Sequence, residues 1–349
     1  MPGPEGGDVC FGASGAVTRV MDGQQERIAT GFPSLAAPDG SGAAGPHDIS
    51  IRGGDVYVIV GLGADPAILD DGTLPDPAGD FGKLVRLLDD GAWKIVADVA
   101  GYETTANPDG GALDSNPYAV LGGADGFVVA DAGGNDLLGV DADNVVSTVA
   151  VFPDVMVDAP VFLGLDAGAK IPMQSVPTTV TMGSDGAYYV GLLTGFPFPA
   201  GAASIYKVVA GQEPEVFAEG FTNVSDIAFD DDGNLWVLEI AANSLLAEAP
   251  AGGLTRVNAD GTRDVVVSEG LVMPTGVAIG PDGNVYITNC GVCPGGGAVL
   301  RMTEVEPVAV PPATGDYTLT PMMGAMVGVF GLTLVFGGAL MIRRRFITP

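Results

Sequence analysis

The chain has 349 residues, of which 54 are Gly and 26 Pro; nearly a quarter of it disfavours helix interiors, which excludes long helical bundles. A hydrophobic content of 47% provides for a sizeable core and excludes a disordered chain. The 43 Asp and Glu against 14 Lys and Arg leave a net charge of −29, a field that repels phosphate backbones and excludes nucleic acid as a partner.

Residues 1–30 show no basic segment followed by an apolar run, so no secretory leader is visible there. A strand pair, GAVTRVMDGQQERIATG from Gly15, comes first. Next follows a unit of apolar strand, Asp/Gly turn and second apolar strand, which recurs five times. The copies start at His47 (HDISIRGGDVYVIVG), Pro117 (PYAVLGGADGFVVAD), Thr178 (TTVTMGSDGAYYVGL), Ser225 (SDIAFDDDGNLWVLE) and Thr275 (TGVAIGPDGNVYITN). Their turn residues Asp55, Asp125, Asp185, Asp232 and Asp282 are spaced 70, 60, 47 and 50 residues apart, the shorter steps matching a four-stranded propeller blade. A second strand pair follows each hairpin, so outer pairs outnumber inner ones by one.

Four-stranded sheets hide their faces by stacking radially. The expected fold is therefore all-β: a β-propeller over residues 1–305, six-bladed in the intact parent. Here it would comprise five complete or nearly complete blades plus an N-terminal outer pair whose inner strands lie upstream. A closed five-bladed ring, with that pair completing the last blade, is the alternative. Aromatic residues at the centre of the second strands, such as Tyr57 and Trp236, are expected between blades.

In a propeller the tight turns share one face and the long connections the other. Residues 61–82, 153–175, 193–203 and 289–296 are long and fall on that second face, where binding is expected. His47, the only histidine, stands there at the entrance to an innermost strand with Asp48 beside it. Both are candidate binding residues, His47 being either a general base or a bridge between backbone groups. Phe196 and Phe198 in GFPFP are either packed against a neighbouring loop or exposed as anchors for a partner. Cys290 and Cys293 in NCGVCPGGG read as a local disulfide of an oxidising compartment, and Cys10 is left over.

The phrases GPHDIS (45–50), VADAGGNDLLGVD (129–141), LLTGFPFPAGAASIYKV (192–208) and PTGVAIGPDGNVYITN (274–289) together resemble the ScyD/ScyE family of secreted propellers, related to NHL-repeat and gluconolactonase-like proteins. The resemblance covers roughly residues 8–302 and implies an exported six-bladed propeller. Family members begin with an inner hairpin before a GPEG-like stretch, which here stands at residues 3–6, so the chain is expected to be N-terminally incomplete. Gluconolactonase-like propellers hold a divalent cation on oxygen ligands, and the comparable positions are Asn116, Asp131, Asp226 and Glu239. These would take Ca²⁺ or Mg²⁺, or else cap backbone groups at strand ends.

Residues 306–320 form a Pro-rich stalk, 321–342 a charge-free stretch long enough to span a bilayer as a helix, and 343–349 a basic tail. The Arg343–Arg345 cluster places the tail in the cytoplasm and the large domain outside. Pro312, Thr314 and Gly315 resemble the sortase cell-wall signal L-P-x-T-G, with Pro311 where Leu is expected. Wall attachment and a plain membrane anchor both remain open. The expected function is a monomeric, surface-anchored binding or scaffold propeller that takes a protein or small-molecule ligand on its loop-rich face. The alternative is a metal-dependent lactonase-type hydrolase at the axis.

Overall fold

The structure is a computed structural model and describes residues 8–21, 23–40 and 42–304, with the backbone of two short strands at 330–335 and 343–344. Five antiparallel sheets follow one another along the chain, each wound in simple sequence order. Their innermost strands are Pro46–Arg52, Pro117–Gly122, Pro177–Met182, Val224–Phe229 and Gly276–Ile279. Each packs beside the next around a common axis. We number the sheets blades 1 to 5.

Alternation along the strands explains why the sheets stack. Side chains on a strand point to opposite faces in turn. In Asp55–Val60 of blade 1, Val58 and Val60 enter a core shared with the N-terminal segment, while Ile59 enters one shared with blade 2. In Phe127–Asp131 of blade 2, Val129 faces blade 1 and Val128 and Ala130 face blade 3. In Leu235–Glu239 of blade 4, Leu235 and Val237 pack towards blade 3, and Trp236 and Leu238 towards blade 5. Blades 1 to 4 thus each feed two separate cores, as stacked propeller sheets do, while the described residues of blade 5 share one core with blade 4. Trp236 is buried, and Tyr57 packs on Phe127 of the next blade with ring centroids 4.5 Å apart.

The N-terminal pair, Cys10–Met21 with Gln24–Ala36, is a two-stranded sheet of its own. It does not complete blade 5, so the alternative of a closed five-bladed ring through that pair is not realised. Instead Val17, Ala29, Phe32 and Leu35 cover the free face of blade 1, and Phe32 stacks on Trp93 at 4.0 Å. Its following turn reaches blade 5, where Gly40 lies against Pro294.

Blade 5 consists of Gly276–Ile279, Val285–Asn289 and Ala298–Glu304, and the segment Phe330–Val335 pairs at its outer edge. That segment falls within the apolar stretch 321–342 expected as a helix; the flanking parts of the stretch, the stalk and the sorting signal at Pro312, Thr314 and Gly315 lie outside the described residues. Among the described residues no helix is long and apolar enough to cross a membrane.

Candidate functional site

The innermost strand of a blade has one edge without a partner strand, so its backbone N–H and C=O groups face the axis and need other partners. The sequence supplies short polar side chains there. Asp48 accepts from the Val120 N–H of blade 2 at 2.8 Å and from Ile49 N–H at 2.7 Å. His47 Nδ1 lies 3.2 Å from the Pro117 carbonyl, and Thr178 Oγ1 donates to the Val224 carbonyl at 2.8 Å. Asp226 accepts from Thr179 Oγ1 of blade 3 at 2.6 Å, from its neighbour Ile227 N–H at 2.8 Å, and from Val277 N–H of blade 5 at 2.7 Å. These side chains stitch the inner strand of blade 1 to that of blade 2, and the inner strands of blades 3, 4 and 5 to one another.

They also line an axial cavity of about 780 Å³, together with Ser14 and Thr18 of the N-terminal pair, Tyr118, Ser225, Thr275 and Thr288. Its lining reaches Gly291 and Val292 in the loop closed by the Cys290–Cys293 disulfide. Cys10 is an exposed free thiol. Although half-open to cavity water, the axial groups sit deep in surrounding protein, and that desolvation sets their ionisation. It lowers His47 to about 4 against the raising effect of the Pro117 carbonyl, so the imidazole is neutral. Burial raises Asp48 to about 7, against the Val120 hydrogen bond and with help from the Asp226 charge, and raises Asp226 to about 6.

The expected quartet is not brought together. Asp226 faces the cavity, whereas Asn116, Asp131 and Glu239 do not line it. Asn116 Oδ1 accepts from Leu62 N–H at 3.2 Å. Asp131 is spent on four donors: Ser115 Oγ at 2.6 Å and the backbone N–H groups of Asn116, Gly133 and Gly134 at 2.6, 3.0 and 3.1 Å. Glu239 accepts from Thr222 N–H at 2.6 Å. The acids at the ends of the second strands cap the segment that enters the inner strand of the same blade, Asn116 N–H for Asp131 and Thr222 N–H for Glu239, and Asp131 also caps the turn that follows it, because these buried segments leave N–H groups without a strand partner. Among the described residues no three His, Cys, Asp or Glu side chains stand at metal-ligand spacing.

The long connections do gather on one face, and two of them build an apolar patch. Connection 153–175 is a hairpin of Val155–Asp158 with Lys170–Met173, and its tip carries Val161, 96% exposed, and Phe162, 70% exposed. Phe196 of the GFPFP loop is itself exposed and meets the Phe162 ring edge-on at 6.1 Å and Phe198, half-buried, at 6.3 Å. Both alternatives for this loop are therefore partly realised: it packs on its neighbour and still presents a ring. Gly195 N–H bonds the Gln174 carbonyl at 2.8 Å, and Ser244 Oγ of blade 4 donates to the Phe198 carbonyl at 2.7 Å, so the patch is held on the scaffold. The hairpin tip was not singled out from sequence, although VFLGL at 161–165 is a short apolar run inside a long loop.

No family model matches this chain, and no curated protein matches it in sequence. Among solved structures it is similar to virginiamycin B lyase from Staphylococcus aureus with quinupristin, at 12% identity and a TM-score of 0.47 over 90% of this chain and 88% of that one. It is similar to a chain of a nidogen–laminin complex at 13% identity and a TM-score of 0.47, over 84% and 88% of the two chains. A gluconolactonase from Xanthomonas campestris is similar at 12% identity and a TM-score of 0.46, over 84% and 83%.

Proposed function

We propose that this chain is a binding propeller of the ScyD/ScyE type that captures a protein partner on its loop-rich face, with Val161, Phe162 and Phe196 as the anchor. One observation carries this reading: a contiguous, solvent-exposed aromatic and aliphatic patch fixed to a rigid scaffold, on the face where the long connections collect. The hydrophobic gain on covering two phenylalanines and a valine is on the order of several kcal/mol. Such a surface is costly to leave in water unless something covers it.

The axial oxygens support this reading from the other side. Asp226 holds inner strands together, while Asp131 and Glu239 are engaged with hydroxyl and backbone donors away from the cavity, which leaves the lactonase alternative without the converging quartet on which it depended. The location proposed for the domain is outside the cytoplasm. The Cys290–Cys293 disulfide supports it, since such bonds persist in oxidising compartments.

The test is photocrosslinking in the native cell, with a photoreactive phenylalanine analogue at position 162 and, as control, at Asp232 in a tight turn on the opposite face. A discrete protein adduct from position 162, absent from position 232, is expected. Equal labelling from both positions, or none from either, contradicts the proposal.

A further inference from the structure

The connection between blades 1 and 2 holds a feature that neither the fold nor the proposed binding explains. Asp98 caps the short helix Val99–Ala106, and the loop that follows runs back over the turn 131–136 of blade 2. This brings Glu103 of the helix against Asp131 and Asp136. Seen from the side-chain position of Gly134, the Glu103 Oε2 atom lies at 3.5 Å and the carboxyl carbons of Asp131 and Asp136 each at 3.6 Å. Three carboxyl groups therefore converge on one small volume. Asp109 stands at its rim, accepting from Asn135 Nδ2 at 3.0 Å.

All three converging groups are nearly sealed from solvent, Glu103 at 2% exposure, Asp131 at 1% and Asp136 at 0%. Asp131 is fully occupied by its four donors. Among the described residues Asp136 has no hydrogen-bond partner on either oxygen, and Glu103, which accepts from the Asp114 backbone N–H, has none on Oε1. Among the described residues no cation acts on Glu103 or Asp136. Burial raises both carboxyls, Glu103 to about 7, and the charges of Asp131 and Asp109 add to that for each. A buried carboxylate without partners is among the most expensive arrangements a fold can hold. Elsewhere in this chain buried acids are matched to donors with care, as at Asp131 and Asp226, so the missing partner of Asp136 points to a ligand from outside.

We propose that this pocket binds a divalent cation of the Ca²⁺ class, with Asp136 and Glu103 as its charged ligands. Only hard oxygen donors converge there, which favours Ca²⁺ or Mg²⁺ over metals that prefer sulfur or imidazole. The fully bonded Asp131 supplies negative field from behind, and water and loop oxygens complete the shell. As they stand, the carboxylates are set wider than ligand spacing. Binding draws Glu103 and Asp136 together by side-chain rotation and locks helix 99–106 onto blade 2.

The experiment uses the whole chain freed of metal with a chelator, titrated calorimetrically with Ca²⁺ and then Mg²⁺ at neutral pH, with thermal midpoints recorded in parallel. One Ca²⁺ per chain is expected, with a Kd of roughly 10⁻³ M or tighter, and a midpoint that rises with Ca²⁺. In Asp136→Asn the stoichiometric binding and the Ca²⁺-dependent rise should vanish, while the metal-free midpoint goes up because a buried acid crowded by like charges is replaced by a neutral amide. Glu103→Gln should weaken binding at least about tenfold, and Asp231→Asn on an exposed turn should leave it unchanged. Absence of a stoichiometric site, or binding that survives Asp136→Asn, overturns the proposal.

Discussion

At the scale of single residues, the acids of this chain divide by what they touch. Asp131 is a cap with four donors, and removing it strands buried N–H groups. Asp131→Ala should cost about 3 kcal/mol or more of unfolding free energy, measured by denaturant titration. The axial pair behaves differently with pH. Asp48 and Asp226 are held at about 7 and about 6 in the folded chain, and both fall towards about 4 on unfolding. Between those limits the folded state binds more protons, so their contribution to stability is present at low pH and is lost as pH rises through 6 to 7. His47, lowered from 6.5 to about 4, works in the opposite sense over its own window, since there the unfolded chain carries the extra proton. Asp48→Asn should therefore flatten the decline in thermal midpoint between pH 5 and pH 7, which a pH series of melting curves would show. A midpoint profile identical to that of the unaltered chain would remove Asp48 from this role.

At the scale of elements, the hairpins were readable because their code is local. Val58 and Val60 against Ile59, or Leu235 and Val237 against Trp236, announce two buried faces by simple alternation, and a Gly-containing turn sets each reversal. The role of Asp131 and Glu239 was not readable, because sequence shows an acid at a strand end without showing which unpaired N–H groups, in the next turn or in the segment before the blade, the fold brings to it. Helix Val99–Ala106 was missed for a related reason: its eight residues include Gly101 and two threonines, too short and too poor in helix formers to announce themselves. It is fixed by tertiary contact. Gly82 has a positive φ of 70° and lies so close to Ala100 that any side chain would displace the helix. Gly82→Ala should lower stability by about 1 to 3 kcal/mol, and hydrogen exchange should show the loss first in residues 99–106. Uniform loss across all blades would contradict that local reading.

At the scale of the whole molecule, five sheets share cores pairwise and a two-stranded N-terminal unit covers the outer face of the first. The axis is a seam of side chains satisfying strand edges, and the loop-rich face carries the exposed apolar surface. Stability is thus carried at the axis and recognition at the patch. The direct test is a paired comparison of Asp226→Asn with the double variant Phe162→Ser and Phe196→Ser, measuring the thermal midpoint and the Kd for the partner identified by crosslinking. The account predicts that Asp226→Asn lowers the midpoint and leaves Kd unchanged, and that the double variant keeps the midpoint and weakens binding at least about tenfold. Weakened binding in Asp226→Asn at unchanged midpoint, with the double variant binding normally, would contradict it.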